Sequence, residues 1–401
     1  MEQAKNPTYS LWAIVKYFLY LGYAGFGGPV ALVGYMHTDL VERRRWFTED
    51  DYKEGMALSQ LSPGPMAAQL GIYLGFVHYG VLGATLVGIA FVLPSFIMVL
   101  LLGIAYKEYG GLNWMQAIFY GVGAAVIGII AISSYKLMTK SIGKLNVESF
   151  KKNWLLWLLY AGGLFITVIT QTEDILTFLA AGFLYMFIKA PPAWSKSPKM
   201  TSLLLFIPAI LWSTNENTLW QIAVFFAKAG TFVFGSGLAI VPFLHGGVVN
   251  EFGWLNEKEF LDAVAVAMIT PGPVVITVGF IGYLVGGVVG ACVAALATFL
   301  PCYLLTIIPA PYFKKIAKNL SIKAFVDGIT ACVIGALAGA VAIIAYRTFV
   351  NTEGVVAFIP IAFAVITAFV LTKYKNIKEP HIILVAAILG FIIKTYLVGN
   401  G

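Results

Sequence analysis

Apolar residues gather in long runs along this chain, separated by short polar stretches. The runs cover approximately 11–36, 55–80, 81–105, 114–135, 154–171 and 174–190, then 219–244, 262–285, 286–310, 324–346, 353–373 and 381–398. Between the two sets lie a linker rich in Pro, Ser and Lys (191–201) and a shorter apolar piece at 203–213. Most runs reach the roughly 20 residues that an α-helix needs to cross a bilayer. Several carry Gly or Pro in the middle, which membrane helices tolerate where protein or water re-satisfies the freed backbone groups. The pattern predicts an all-α polytopic membrane protein of about 10–13 membrane segments, some of them broken or re-entrant.

Composition removes the alternatives. The 401 residues are 60% hydrophobic and 11% charged, against roughly 25% charged in soluble domains. A water-facing surface cannot be built from so few charges. The net charge of +7 would suit nucleic acid in a soluble protein, but cytoplasmic loops of membrane proteins collect Lys and Arg, and no nucleic-acid partner is expected. Cys292, Cys302 and Cys332 lie in apolar runs without C-x-x-C spacing, which reads as buried free thiols rather than a disulfide framework. No small-residue cleavage site follows the first run, so that run is expected to be retained.

The two sets of runs are copies. Leu11-Trp12 matches Leu219-Trp220, Gly22 matches Gly230, Phe26-Gly27 matches Phe234-Gly235, and Trp46 and Glu49 match Trp254 and Glu257. Pro63-Gly64-Pro65 matches Pro271-Gly272-Pro273 in the same register, 208 residues on. After one lost residue, Leu93-Pro94 matches Leu300-Pro301, and Ile127-Gly128 matches Ile334-Gly335. Shared membrane composition does not produce a shared register, so two repeats are expected, 1–200 and 201–401.

Loop charges give their orientation. Arg43, Arg44, Arg45 and Lys53 in one loop face only Lys258 in its counterpart, and Lys107 alone faces Lys314, Lys315, Lys318 and Lys323. The five lysines of 136–153 face Arg347, and the turn near 171–174, without Lys or Arg, faces Lys373, Lys375 and Lys378. By the positive-inside rule the repeats are inverted, a hallmark of secondary transporters. An odd number of crossings must separate the inside loop 37–54 from the outside loop 106–113, so 55–80, broken at Pro63-Gly64-Pro65, is expected to re-enter. Whether 11–36 spans or re-enters stays open; if it re-enters, the N-terminus is inside and 203–213 must help to cross.

Chemistry can reside in few places. Two prolines around a glycine break a helix, and proline suits the first turn of the helix that restarts. Each break therefore offers a helix N-terminus, with free N–H groups and a positive dipole end, to an anion. Ser62 and Thr270 are placed N-cap-like, and Gln60 adds a polar group beside the first break. Gly27 and Gly28 after Phe26, and Gly235, Ser236 and Gly237 after Phe234, permit close approach of backbone or ligand. Lys228 is a charge within an apolar run, hence a candidate anion partner. His37 and His245 match in register but form no metal cluster. No nucleotide-binding or metalloprotease motif is present, so neither an enzyme nor an ATP-driven pump is expected, and no metal or cofactor.

The Phe-Gly-Gly-Pro run, the Gln-x-x-Pro-Gly-Pro motif and their Phe-Gly-x-Gly and Thr-Pro-Gly-Pro counterparts resemble the chromate ion transporter family, over nearly the whole chain. The resemblance implies an inner-membrane protein of a prokaryote that exports chromate and confers resistance, with sulfate or another oxyanion, or an anion channel, as alternatives. Gly27, Gly28, Pro63, Gly64 and Pro65 match the family's motifs in the first half, and Phe234, Gly235, Gly237, Pro271, Gly272 and Pro273 match those in the second; these are candidate substrate-binding residues. The lipid bilayer is the other partner, and a homodimer stays open.

Overall fold

The computed structural model describes residues 8–26, 28–171, 175–192, 217–231, 237, 240–313, 319–350, 357–374, 377 and 379–398, with only the backbone at 29, 30 and 242. The first half contains α1 (Leu11–Ala24), α2 (Gly28–Met36), α3 (Glu49–Leu61), α4 (Met66–Tyr109), α5 (Asn113–Ser141), α6 (Val147–Lys152), α7 (Trp154–Thr170) and α8 (Ile175–Lys189). The second contains α9 (Thr218–Thr231), α10 (Ile240–His245), α11 (Glu257–Ile269), α12 (Thr277–Ile307), α13 (Leu320–Phe349), α14 (Phe358–Lys373) and α15 (Glu379–Ile393). Among the described residues, the helices built on α4, α5, α12, α13 and α15 are long and apolar enough to cross a membrane.

The 44 residues of α4 would make a straight rod of about 66 Å, twice a bilayer core. The chain instead folds back at Gly80, where φ is +57° and ψ −147°. Gly75 and Gly83 then face each other's carbonyls, which only antiparallel arms allow. α12 folds in the same way at Gly287 (φ +62°), bringing Gly282 against Gly290. A non-glycine residue would be strained at these two turns.

The arm before each fold belongs to a re-entrant hairpin. α3 starts in a capping box between Thr48 and Asp51, and α11 starts in one between Asn256 and Glu259 at the equivalent positions. Both helices stop at their Pro-Gly-Pro, and the chain returns alongside: Gly55 of α3 lies against Leu70 and Tyr73 of the first arm of α4. The expected re-entry of 55–80 is therefore observed.

The opening run also re-enters. Tyr9 stacks on Trp46 with ring centroids 4.5 Å apart, and its hydroxyl lies 2.7 Å from His78 Nδ1. Tyr17 Oη donates to Asp39 Oδ2 at 3.4 Å. Both contacts pair the start of the chain with the chain after α2, so the chain has returned to its starting face by the end of α2, and Tyr9 lies on the basic face with Arg43–Arg45. This resolves the open side of the N-terminal run to the inside. The segment 203–213 lies outside the described residues.

The long second arms of α4 and α12 cross antiparallel. Thr85 Oγ1 and Tyr303 Oη are 2.6 Å apart at one end, and at the other Gly103 abuts Tyr283, which lies just before the fold at Gly287. The fold at Gly80 and the fold at Gly287 thus lie at opposite faces, and the repeats are inverted. Packing is through small residues, as in other membrane helices: Gly22 sits on the Phe91 carbonyl and Gly230 on the equivalent Thr298 carbonyl. Leu82, Ile89, Leu93, Ile97 and Leu101 form an exposed apolar face of α4 at helical spacing, facing lipid. Cys302 and Cys332 are buried and Cys292 half-buried, all as free thiols.

Candidate functional site at the helix breaks

The first break begins where α3 ends. Ser62 is in extended conformation and donates its N–H to the Leu58 carbonyl, so it closes the arriving helix. Gly64 turns the chain at φ +139°. Pro65, at φ −65° and ψ 108°, occupies the N-cap of α4, and its carbonyl accepts from Gln69 N–H at 3.0 Å. The N-cap-like role expected of Ser62 and Thr270 is therefore not observed. Three residues separate each hydroxyl from the helical turn that follows, and Thr270 Oγ1 donates backwards to the Val266 carbonyl at 2.7 Å.

Proline has no side-chain acceptor, so no side chain caps α4. The N–H groups of Met66, Ala67 and Ala68 belong to the first turn, which has no intrahelical partner. Among the described residues nothing accepts from them, and all three residues are buried. Beside them lies Gln69, at 0% exposure. Its Nε2 donates to the Pro63 carbonyl at 2.8 Å, and its Oε1 has no partner. An isolated amide within the apolar run 66–105 was a signal in the sequence that points to this residue.

The second break is built differently after the same turn. Gly272 has φ +95° and donates its N–H to the Gly25 carbonyl of the first half at 2.9 Å. Pro273 leads into a single 3-10 turn, Val274–Ile276, before α12 begins at Thr277. Thr277 stands where the first half has Gln69, and its Oγ1 donates to the Val274 carbonyl at 2.7 Å.

Each break is seated on the opposite repeat. Gly64 faces the Gln69 amide and Cys302 Sγ of α12, while Gly272 faces Ser95 of α4. Ser95 and Cys302 are equivalent residues, each following the proline of its helix. Ser95 Oγ also donates to the Gly22 carbonyl at 3.1 Å, joining α1, α4 and the second break. Neither Ser95 nor Cys302 was legible as a site residue in advance.

The other candidates are distributed around these breaks. Phe26 and Gly28 are half-buried, and the Cα of Gly28 (φ +70°) faces open space. Gly237 is buried against Val274 and Val275 of the second break. Pro63 is half-exposed, whereas Gln60 is exposed and takes no hydrogen bond among the described residues. Lys228 is half-buried on α9, and among the described residues no hydrogen bond or ion pair joins it to either break. Gly27, Phe234, Gly235 and Ser236 lie outside the described residues. Among the described residues no group of His, Cys, Asp and Glu could hold a metal ion.

Two further polar groupings escaped the sequence. Tyr106 Oη of α4 donates to the buried Asp262 of α11 at 2.7 Å, crossing between repeats. At the outer face, Arg347 Nη1 reaches Glu257 Oε1 at 2.6 Å and Asn250 Oδ1 at 2.8 Å, and Nη2 reaches the Gln171 side chain. His245 Nε2 lies 2.8 Å from the other Glu257 oxygen. Burial alone would raise the Glu257 carboxyl, but His245 and Arg347 outweigh it and hold it below the usual carboxylate range.

Comparison with known proteins agrees with this duplicated arrangement. The family model described as "Chromate transporter" matches twice, over residues 12–187 and 220–391. The chain is 60% identical over 391 residues to the chromate transport protein of Cupriavidus metallidurans, covering 96% of this chain and 94% of the relative. It is 56% identical over 392 residues to a probable chromate transport protein of Synechococcus elongatus, covering 96% of each. An uncharacterized transporter of Methanocaldococcus jannaschii is 28% identical over 405 residues, covering 98% of this chain and 96% of the relative. No solved structure matches the chain.

Proposed function

The chain belongs to the chromate transporter family, and from that premise we propose that it exports chromate from the cytoplasm by alternating access between two inverted repeats, 1–200 and 201–401. It is a membrane transporter rather than an enzyme, with several spans in the inner membrane of a prokaryote. The observation that carries the proposal is the buried, uncapped N-terminus of α4 behind Pro65. Free N–H groups and the positive end of the helix dipole replace the water around an anion. In this proposal the Pro-Gly-Pro turn of the first half holds such groups, and each turn rests on the other repeat, so rocking one repeat against the other moves both breaks.

In this proposal Ser62, Thr270, Gln60, Phe26, Gly28 and Gly237 line the path, and Gly27, Phe234, Gly235 and Ser236 are assigned to it from their sequence motifs alone. Lys228 supplies positive charge on the second half. The inside-negative potential drives each exported negative charge by about 2.3 kcal/mol per 100 mV, so efflux needs no nucleotide.

Inverted membrane vesicles containing the chain should accumulate labelled chromate, with sulfate tested as competitor. Absence of uptake of either ion, with the protein shown to be folded, overturns the proposal. Saturation separates a carrier from an anion channel. Lys228→Ala should raise KM for chromate; unchanged kinetics removes Lys228 from the path.

A further inference from the structure

The geometry points to a selector for protonated oxyanions at the first break: the N–H groups of Met66, Ala67 and Ala68 together with the Gln69 carbonyl take a tetrahedral monoanion that carries one hydroxyl, hydrogen chromate rather than the bare dianion. This rests on the oxyanion site proposed above and names the form of the ion that the site accepts.

The argument turns on what each group can do. Backbone N–H groups only donate, so they take the unprotonated oxygens of an oxyanion. Gln69 Oε1 only accepts, so it needs a donor. The amide is held in this sense because Nε2 donates to the Pro63 carbonyl at 2.8 Å. Turning it over would set two carbonyl oxygens against each other and lose that bond. Oε1 is thus fixed as a buried acceptor without a partner, and such a group is costly until a donor arrives. A dianion brings only lone pairs to it. A hydrogen oxyanion brings acceptors for the N–H groups and one O–H for the carbonyl, which completes the set.

The selectivity this gives is large in principle. A site built to hydrogen-bond a substrate hydroxyl rejects the analogue that lacks it far more strongly than an apolar pocket rejects a change in size. Chromate takes up a proton near neutral pH, whereas sulfate does so only in strong acid. One amide therefore separates two ions of similar shape and charge. The second break has no such device, since Thr277 stands in place of Gln69 and spends its hydroxyl on Val274.

Few titratable groups surround the amide. Cys302 of α12 lies against Gly64. On α3, Asp51 and Glu54 sit two or more turns from the break; on α1, Lys16 is exposed and faces the Trp12 ring. On α2 there is no titratable group but Tyr35.

The test is equilibrium dialysis of chromate against the purified full chain in nanodiscs, from mildly acid to mildly alkaline pH. Without a gradient, coupling to proton transport does not enter. The apparent Kd for total chromate should rise about tenfold per pH unit on the alkaline side, as the hydrogen form is depleted. Sulfate in large excess should compete weakly at neutral pH. In Gln69→Met, of similar length but without the acceptor, the pH slope should flatten and sulfate should gain on chromate.

A native Kd independent of pH, or sulfate competing as well as chromate, overturns the inference, and neither result needs a variant to fold. The same pH slope in Gln69→Met also overturns it, leaving Gln69 as a brace for Pro63 with a water on its carbonyl. Failure of chromate to bind at any pH is a different result, since it defeats the oxyanion site itself.

Discussion

After Pro65 the chain enters an α-helix directly, while after Pro273 it makes one 3-10 turn before α12 begins. The preceding residues are alike: a capping box, a helix of the same length and a glycine at positive φ. Beyond the turn the two halves diverge, with Gln69 in one and Thr277 in the other. The glutamine reaches back to the Pro63 carbonyl across the turn and leaves the first N–H groups of α4 free. The threonine bonds within its own turn. A duplicated scaffold can thus keep its turn in both copies while one leaves its first helix N–H groups open, for the ligand in the function proposed above, and the other is tied to its neighbour. The second break does the latter, since Gly272 N–H is bonded to Gly25 of the first half.

The largest expected effect breaks that division at Gly272. An added Cβ would collide with Ser95 Oγ, and the backbone φ of +95° disfavours any side chain. Strain and overpacking together should cost Gly272→Ala about 3–4 kcal/mol, read as a fall in melting temperature in detergent and loss of transport. Gly64→Ala is strained as well, at φ +139°, but its Cβ meets the Gln69 amide and Cys302 Sγ less closely than Gly272 meets Ser95, and it should lose less stability. Equal losses at the two glycines would contradict the assignment of the structural role to the second break.

Next in size is the contrast between the outer and inner faces. His245 and Glu257 repeat the His37 and Glu49 pair, yet only the outer pair is joined by Arg347, which ties in Gln171 and Asn250. Arg347→Ala leaves a half-buried carboxylate short of its donor and should cost about 1–3 kcal/mol. The Glu257 carboxyl sits below the usual range in the folded chain. Its contribution is therefore complete above the ordinary carboxylate pKa and disappears as pH falls through the lower folded value. Melting temperature should drop on acidification in the native chain, with a smaller drop in Arg347→Ala. An identical acid response in both would show that the clasp does not stabilise this face.

Much of this architecture was legible beforehand. Register matches such as Pro63 with Pro271 gave the duplication, loop charges gave the inversion, and counting crossings gave the re-entry of 55–80. These are properties of chain length and charge, which act independently of side-chain packing. The re-entry of 11–36 was not decided, because it depends on Tyr9 meeting Trp46 and His78, contacts distant in sequence. At the breaks, proline and glycine announced a turn, but the residue that caps each new helix depends on backbone angles. Ser62 and Thr270 were for that reason placed on the wrong helix. Ser95 and Cys302 matter only because the repeats cross, which no local pattern encodes.

The smallest effect is expected at the inner pair, and it sharpens the contrast by being small. His37 Nε2 lies 2.9 Å from Glu49, and Glu42 and Lys53 approach the same two residues; His37 is half-buried, but Glu42, Glu49 and Lys53 are exposed. Water competes for every charge, so such pairs contribute little. Glu49→Gln should leave the melting temperature unchanged within error, at neutral pH and after acidification. Glu257→Gln at the equivalent position should lower it, because there Arg347 loses its carboxylate within a half-buried network. If Glu49→Gln proves as damaging as Glu257→Gln, the two faces are equally clasped, and the inner one is then not the looser side of the transporter.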